Sequence, residues 1–293
     1  MKLLKISLLS LAIFLPLLPQ YLKNSPPPPP AVKSVSVHQL DLPKARGKIE
    51  VPDHSAKAVY VLDLNSDTVL YQDHAQKTLY PASLTKIMTA LIALENFNLD
   101  QILTVQSGSF SIGNTINLIA KDELTSKNLL FGLLVSSGND VALTLAENFS
   151  GGYTQFVIAM NKKADQLGLT GTHFTNVSGV EDVNHFSTAE DLTKLTKVAL
   201  QNPIFRQIVS TPQIDIESVK GNHYLLTSTN QLLSSNPHVL GVKTGWTPEA
   251  GECLITLVNQ DEHPVLITVL GSDDRFAETT EIIDWIYKNF SWE

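Results

Sequence analysis

Cysteine is nearly absent from this 293-residue chain: Cys253 stands alone. A single thiol forms no internal disulfide, and no Cys/His cluster shows zinc-site spacing, so no metal is expected. The neighbours "CLITLV" read as a buried strand, which makes Cys253 a small core side chain rather than a reactive thiol. Excess positive charge is also lacking. The formal net charge is -8, which argues against the basic surface of a nucleic-acid-binding protein. Charged residues are only 17% of the chain and apolar residues 43%, so there is apolar surface for a packed core and no sign of a disordered polyelectrolyte. The N-terminal apolar run, "ISLLSLAIFLPLL" (Ile6–Leu18), has 13 residues, short of the roughly 20 that span a bilayer.

That run follows a positive stretch with Lys2 and Lys5. It fits the apolar part of an export signal, whose positive end stays cytoplasmic. No small-x-small cleavage site follows, so residues 1–24 are expected to be either removed or kept as an N-terminal membrane anchor. "SPPPPPAVKSV" (Ser25–Val35) holds five consecutive prolines. Such a run favours a polyproline helix rising about 3.1 Å per residue. Residues 25–47 therefore read as a linker, and residues 48–293 as the folded domain. The expected location is the periplasm or cell surface, and a monomer is expected.

Strand patterns lie at both ends of that domain and helical patterns between them. "AKAVYVLDLNSDTVLYQD" (Ala56–Asp73) reads as a hairpin around Asn65-Ser66-Asp67. From Ser83 to about Leu200, apolar residues recur at i, i+3 and i+4, with Ser187 and Thr188 as N-cap candidates. Strands return at "GVKTGW", "ECLITLVNQ" and "HPVLITVLGS", and "RFAETTEIIDWIYKNF" closes the chain as an amphipathic helix. The expected architecture is α+β: one antiparallel sheet built from both chain ends, flanked by helices, with an inserted all-helical lobe. A cleft between the two would hold a ligand.

Three short motifs carry chemistry. In "LYPASLTKIMTALIAL" (Leu79–Leu94), Pro81 suits the approach to a helix, Ser83 falls in its first turn and Lys86 one turn later on the same face. Apolar neighbours surround them. An ordinary lysine has a pKa of about 10.4 and is neutral in about 1 of 2,500 molecules at pH 7. Burial and a second cation would bring it near neutrality at a cost of about 4 kcal/mol and make it a base for the serine. Alone, S-x-x-K is expected by chance about once in such a chain. "SSGND" adds Ser137 and Asn139 at a helix junction, a hydroxyl and a carboxamide able to relay a proton and bind an amide. "GVKTGW" adds Lys243, Thr244 and Gly245 on a strand, where the cation and hydroxyl would meet a carboxylate and the glycine would let a substrate backbone approach. S-x-x-K, S-x-N and K-T-G in this order are the signature of serine acyl transfer in penicillin-recognising enzymes.

With "YPASLTKIMTA", "SSGNDVA", "THFTNVSGVEDVNHFSTAEDL" and "GVKTGWTPEAGECLI", the chain resembles the serine-type D-alanyl-D-alanine carboxypeptidases, the low-molecular-mass penicillin-binding proteins. The resemblance covers roughly Ala56 to Trp285. It implies the β-lactamase/transpeptidase-like fold, no cofactor, a peptidoglycan stem peptide ending in D-Ala-D-Ala as substrate, and β-lactams as inhibitors. It also implies roles. Ser83 is the nucleophile, Lys86 its base, Ser137 the proton relay and Asn139 the amide contact. Lys243 and Thr244 meet the terminal carboxylate. The backbone N–H groups of Ser83 and Trp246 form the oxyanion hole. Arg275 in "GSDDRFAE" matches a carboxylate-binding arginine, with a first-turn surface position on the last helix as the alternative.

Rival readings remain. An endopeptidase cutting peptidoglycan cross-links would use the same motifs. A β-lactamase would need a loop base; Glu181 is the candidate, and no asparagine follows four residues on, where His185 stands. A wall-binding protein with a silent pocket would not require all six motif side chains. Glu181 and Asp182 read as solvated turn residues, and His173 and His185 as loop packing rather than a metal pair.

Overall fold

The computed structural model describes residues 41–47, 49–106 and 113–293. The expected signal or anchor at 1–24 and the proline run lie outside the described residues. Strand β1 (Pro43–Ala45) comes first, then β2 (Ala58–Asp63) and β3 (Val69–Asp73). β2 and β3 form the expected hairpin. Its turn is held by Asp63, whose carboxylate accepts from the Ser66 backbone N–H at 2.8 Å and hydroxyl at 2.6 Å.

A 3-10 turn (Ala82–Thr85) runs into α1 (Lys86–Asn96). Next come β4 (Ile102–Thr104), β5 (Glu123–Thr125), α2 (Ser126–Leu134), α3 (Asn139–Glu147) and α4 (Gly152–Gln166). A loop leads to α5 (Ala189–Ala199), capped by the Thr188 side chain, which accepts from the Asp191 N–H as expected. α6 (Pro203–Val209) has proline at its first position, β6 (Gln213–Glu217) pairs with β7 (His223–Thr227), and α7 (Leu232–Ser235) follows. The chain ends with β8 (Val239–Thr247), β9 (Gly251–Gln260), β10 (His263–Ser272), α8 (Arg275–Asn289) and β11 (Phe290–Trp292).

The main sheet has the order β3-β2-β10-β9-β8, all neighbours antiparallel. Both chain ends thus share one sheet, as the strand patterns require. Its faces separate with period two. On β2, Ala58, Tyr60 and Leu62 join the core shared with the helical lobe, while Val59 and Val61 join a second core under α8. Every residue of β2 is buried because both faces are covered. β8 is left as an edge, and that edge faces the 3-10 turn.

Two expectations need correction. The fold begins before residue 48, because β1 pairs with β11 at the opposite end, Pro43 against Trp292 and Ala45 against Phe290. The inserted lobe is not all helical: β4–β5 and β6–β7 are hairpins within or beside it. Strands of three residues, as in β4 and β5, are too short to establish an alternating pattern. "PIFRQIV" after Asn202, a stretch that carries no expectation, is a helix.

Candidate active site

The cleft between sheet edge and helical lobe encloses about 560 Å³, within the range of small-ligand sites. Ser83 lies on it, in the 3-10 turn rather than in the first α-turn expected. Ala82, just before it, takes φ of 47°, a left-handed conformation that costs a non-glycine residue of order 1 kcal/mol or more and gathers at functional sites. That conformation keeps the turn from extending back beyond Ala82 as a helix. In a 3-10 turn, residues i and i+3 eclipse, so Lys86 stands directly over Ser83.

The Lys86 side chain is fully buried. Its Nζ lies 2.9 Å from Ser83 Oγ, 2.6 Å from Asn139 Oδ1 and 3.0 Å from the Ser178 carbonyl oxygen. A neutral amine has two N–H groups and one lone pair. The two carbonyl oxygens can accept only from N–H, which leaves the lone pair for the Ser83 hydroxyl. Burial brings the amine pKa down from 10.5 to about 7, against a smaller opposing pull from the Asp140 carboxylate. Desolvation, rather than a second cation, is the dominant cause.

Ser137 sits in the junction between α2 and α3, at φ of 59°, a second non-glycine left-handed residue. Lys243 Nζ, also buried, donates to Ser137 Oγ at 2.8 Å and to the Thr244 carbonyl at 2.9 Å. Burial, then the charges of Lys86 and Arg275, hold its pKa well below the usual value. Asn139 begins α3, and its N–H donates to the Asn114 carbonyl at 2.7 Å. The Asp140 carboxylate accepts from the N–H groups of Ile116 (3.2 Å) and Leu118 (2.9 Å) and so pins the opposite wall of the cleft.

β8 supplies Thr244, Gly245 and Trp246 to the cleft. Thr244 Oγ1 shares a 2.5 Å hydrogen bond with Thr229 Oγ1, a cleft residue with no motif to announce it. Gly245 departs from expectation in its reason. A Cβ there would meet the Ser83 nitrogen at 3.1 Å and the Pro81 carbonyl at 3.2 Å, so the glycine admits the nucleophile's own turn to the strand. Trp246 is 60% exposed at the rim. Arg275 begins α8 and lines the cleft; its Nη1 donates to the Gly245 carbonyl at 2.8 Å. The structure thus brings all nine sequence-predicted site residues to one cleft or its immediate wall.

The loop before α5 adds residues that sequence reasoning missed. Asn176 Oδ1 accepts from the N–H groups of Ser178 (3.2 Å), Gly179 (2.8 Å) and Val180 (3.1 Å). This Asx turn aims the Ser178 carbonyl at Lys86. Gly179, at φ of 88°, packs on the nucleophile's turn so closely that a Cβ would lie 1.8 Å from the Ala82 carbonyl oxygen. Glu181 is exposed as expected but not merely solvated. It lines the cleft, and its Oε1 accepts from the Glu249 N–H at 2.9 Å.

His185 is a buried loop anchor: Thr175 N–H donates to its Nδ1 at 3.1 Å, which leaves Nε2–H to donate to Thr85 Oγ1 at 2.8 Å. Burial lowers its pKa to about 4, so it stays neutral. His173 bonds the Asn184 carbonyl instead. Among the described residues no group of three or more His, Cys, Asp or Glu could hold a metal ion. Cys253 is buried on β9, and burial raises its thiol to about 11.

Comparison with known proteins agrees with this geometry. A family described as D-alanyl-D-alanine carboxypeptidase matches residues 46–274. A D-alanyl-D-alanine carboxypeptidase of Bacillus subtilis is 32% identical over 81% of this chain and 63% of its own. A D-alanyl-D-alanine endopeptidase of Escherichia coli is 32% identical over 80% of this chain and 78% of its own. The crystal structure of the Streptomyces K15 DD-transpeptidase superimposes with a TM-score of 0.78 at 33% identity, over 82% of this chain and all of that one. The chain therefore spans less than two thirds of the Bacillus relative's length. The α+β architecture, the family match over most of the sequence and these relatives agree: the chain belongs to the D-alanyl-D-alanine carboxypeptidase family.

Proposed function

We propose that this chain removes the terminal D-alanine from peptidoglycan stem peptides through an acyl-enzyme on Ser83, and that it works outside the cytoplasm. The location rests on the N-terminal sequence alone. The activity rests above all on one observation: a buried amine 2.9 Å from a cleft hydroxyl, with two carbonyls occupying its N–H groups.

The steps follow from that arrangement. Lys86 Nζ takes the Ser83 proton as Oγ bonds to the carbonyl carbon of the penultimate D-alanine. The resulting ammonium is held by Asn139 Oδ1 and the Ser178 carbonyl. The carbonyl electron pair moves to oxygen, where the backbone N–H groups of Ser83 and Trp246 would receive it; one such donor is worth about 10²–10³ in rate. Collapse breaks the C–N bond. The departing nitrogen takes a proton from the Ser137 hydroxyl, and the Lys86 ammonium supplies the replacement through that relay, so Lys86 is a neutral amine again while Lys243 keeps its proton and its hydrogen bond to Ser137. Water then attacks the ester, with Lys86 again the base. Thr244, Lys243 and Arg275 supply the hydroxyl and cations for the substrate carboxylate. A β-lactam acylates Ser83 the same way, but its amine stays tethered and cannot leave.

The test uses the purified full-length protein. Incubation with a β-lactam is expected to add the mass of the whole drug to the wild type and nothing to Ser83→Ala. Free D-alanine should then appear from a pentapeptide. Absence of an adduct would sink the acyl-enzyme. Faster cleavage of cross-linked dimers than of pentapeptide would assign an endopeptidase. Rapid drug turnover would assign a β-lactamase, a role that Glu181, tied to the Glu249 N–H, is poorly placed to serve.

A further inference from the structure

We propose that Glu181 selects substrates with a cationic side chain on the residue just before the D-alanyl-D-alanine; this deepens the carboxypeptidase reading and rests on it. The cleft is electrically polarised along β8. At one end lie Lys243, Thr244 and the Arg275 guanidinium, which donates to the Gly245 carbonyl. At the other lies Glu181, the one acidic side chain among the described residues lining the cleft.

The direction in which a peptide crosses these charges follows from the strand. β8 is the sheet edge, so an extended peptide can lie along it. The terminal carboxylate belongs beside Thr244. The nucleophile is level with Gly245, whose missing Cβ would sit 3.1 Å from the Ser83 nitrogen. The scissile carbonyl is therefore displaced from the carboxylate toward Trp246, and the rest of the peptide must continue that way. Peptide and strand both advance about 3.3 Å per residue. The residue preceding the two alanines then arrives at the level of Thr247, the last residue of β8, where the turn that holds Glu249 begins.

Glu181 occupies that level. One carboxylate oxygen accepts from the Glu249 N–H, and the hydrogen bond from the Thr247 side chain keeps the group ionised by lowering its pKa. A carboxylate offers about four acceptor sites, so capacity remains on the cleft side. Val180 (40% exposed) and Trp246 (60% exposed) line the cleft beside it. Their apolar surfaces suit the methylene stem of a long amine, with the ammonium reaching the carboxylate.

The experiment compares two peptides ending in lysyl-D-alanyl-D-alanine, one with the lysine amine free and one with it acetylated. For the wild type at low salt, kcat/KM is expected to favour the free amine by about fivefold, the scale of a partly exposed ion pair. Glu181→Gln keeps an oxygen for the Glu249 N–H, so the loop stays tied. In that variant the ratio should fall to about one. About 1 M salt should shrink the wild-type ratio as well. A wild-type ratio near one, or a preference that survives Glu181→Gln, overturns the inference while release from the acetylated peptide still upholds the carboxypeptidase. Release from neither peptide overturns both.

Discussion

Lys86→Met is expected to slow acylation by a β-lactam about 10²–10⁴-fold at pH 8, the scale of a lost general base, without unfolding the protein. Methionine matches the lysine stem in length and leaves Ser83 in its 3-10 turn. What it removes is the lone pair facing the hydroxyl. Two opposing effects govern stability. Holding the amine buried with a pKa of about 7 costs about 4 kcal/mol at pH 7. Removing it strips the donor from Asn139 Oδ1 and the Ser178 carbonyl, at about 1–3 kcal/mol each. These nearly cancel, so the two melting temperatures should be close at pH 7. Their difference should then drift in a fixed direction. Between about 7 and 10.5 the unfolded lysine holds a proton that the folded one has released. Unfolding thus takes up a proton, and each pH unit adds about 1.4 kcal/mol to the wild type relative to the variant. Acylation within tenfold of wild type would remove Lys86 from the mechanism.

Gly179→Ala should be nearly as damaging, although Gly179 bears no functional group. The added Cβ would lie 1.8 Å from the Ala82 carbonyl oxygen and 3.0 Å from the Ser83 nitrogen, at a φ of 88° that alanine resists. The nucleophile's turn cannot retreat, because Gly245 already packs against its other side. Ser83 must shift on the ångström scale, and such a displacement costs about 10² in rate. Acylation should fall at least that far, with a lower melting temperature. Gly168→Ala is the control. Its φ of 67° carries similar backbone strain, but nothing lies within 4 Å of the new Cβ. It should lose stability and retain acylation. Equal acylation in both glycine variants would contradict the packing argument.

The contrast between these two predictions shows what the sequence could carry. Lys86 was legible because its relation to Ser83 is local, three residues apart, and because a lysine inside an apolar helix conflicts with its own pattern. The sheet was legible because strands of nine and ten residues such as β8, β9 and β10 show sustained runs of buried residues. The Ser178 carbonyl was not legible, since a backbone oxygen has no letter of its own. Gly179 has a letter but not a reason until the Ala82 carbonyl is placed against it. Asn176 could have been read from "TNVSG", where an asparagine precedes a serine and a glycine, the composition of an Asx turn. β1 was missed because Pro43–Ala45 becomes a strand only by meeting Phe290–Trp292, nearly the whole chain away. Gly245 was assigned to the right place for a different reason: the substrate was expected against it, and the catalytic turn packs there.

All of this depends on Lys86 being a base near neutrality. The direct test is a titration of the protein labelled with ¹³C at lysine Cε, followed by NMR, with the Lys86 signal assigned by its loss in Lys86→Met. The account requires a midpoint near 7 in place of the ordinary 10.5, matched by an acid limb of the acylation rate at the same pH. A Lys86 signal that titrates near 10.5 would show a charged amine at working pH, unable to take the Ser83 proton, and would contradict the mechanism.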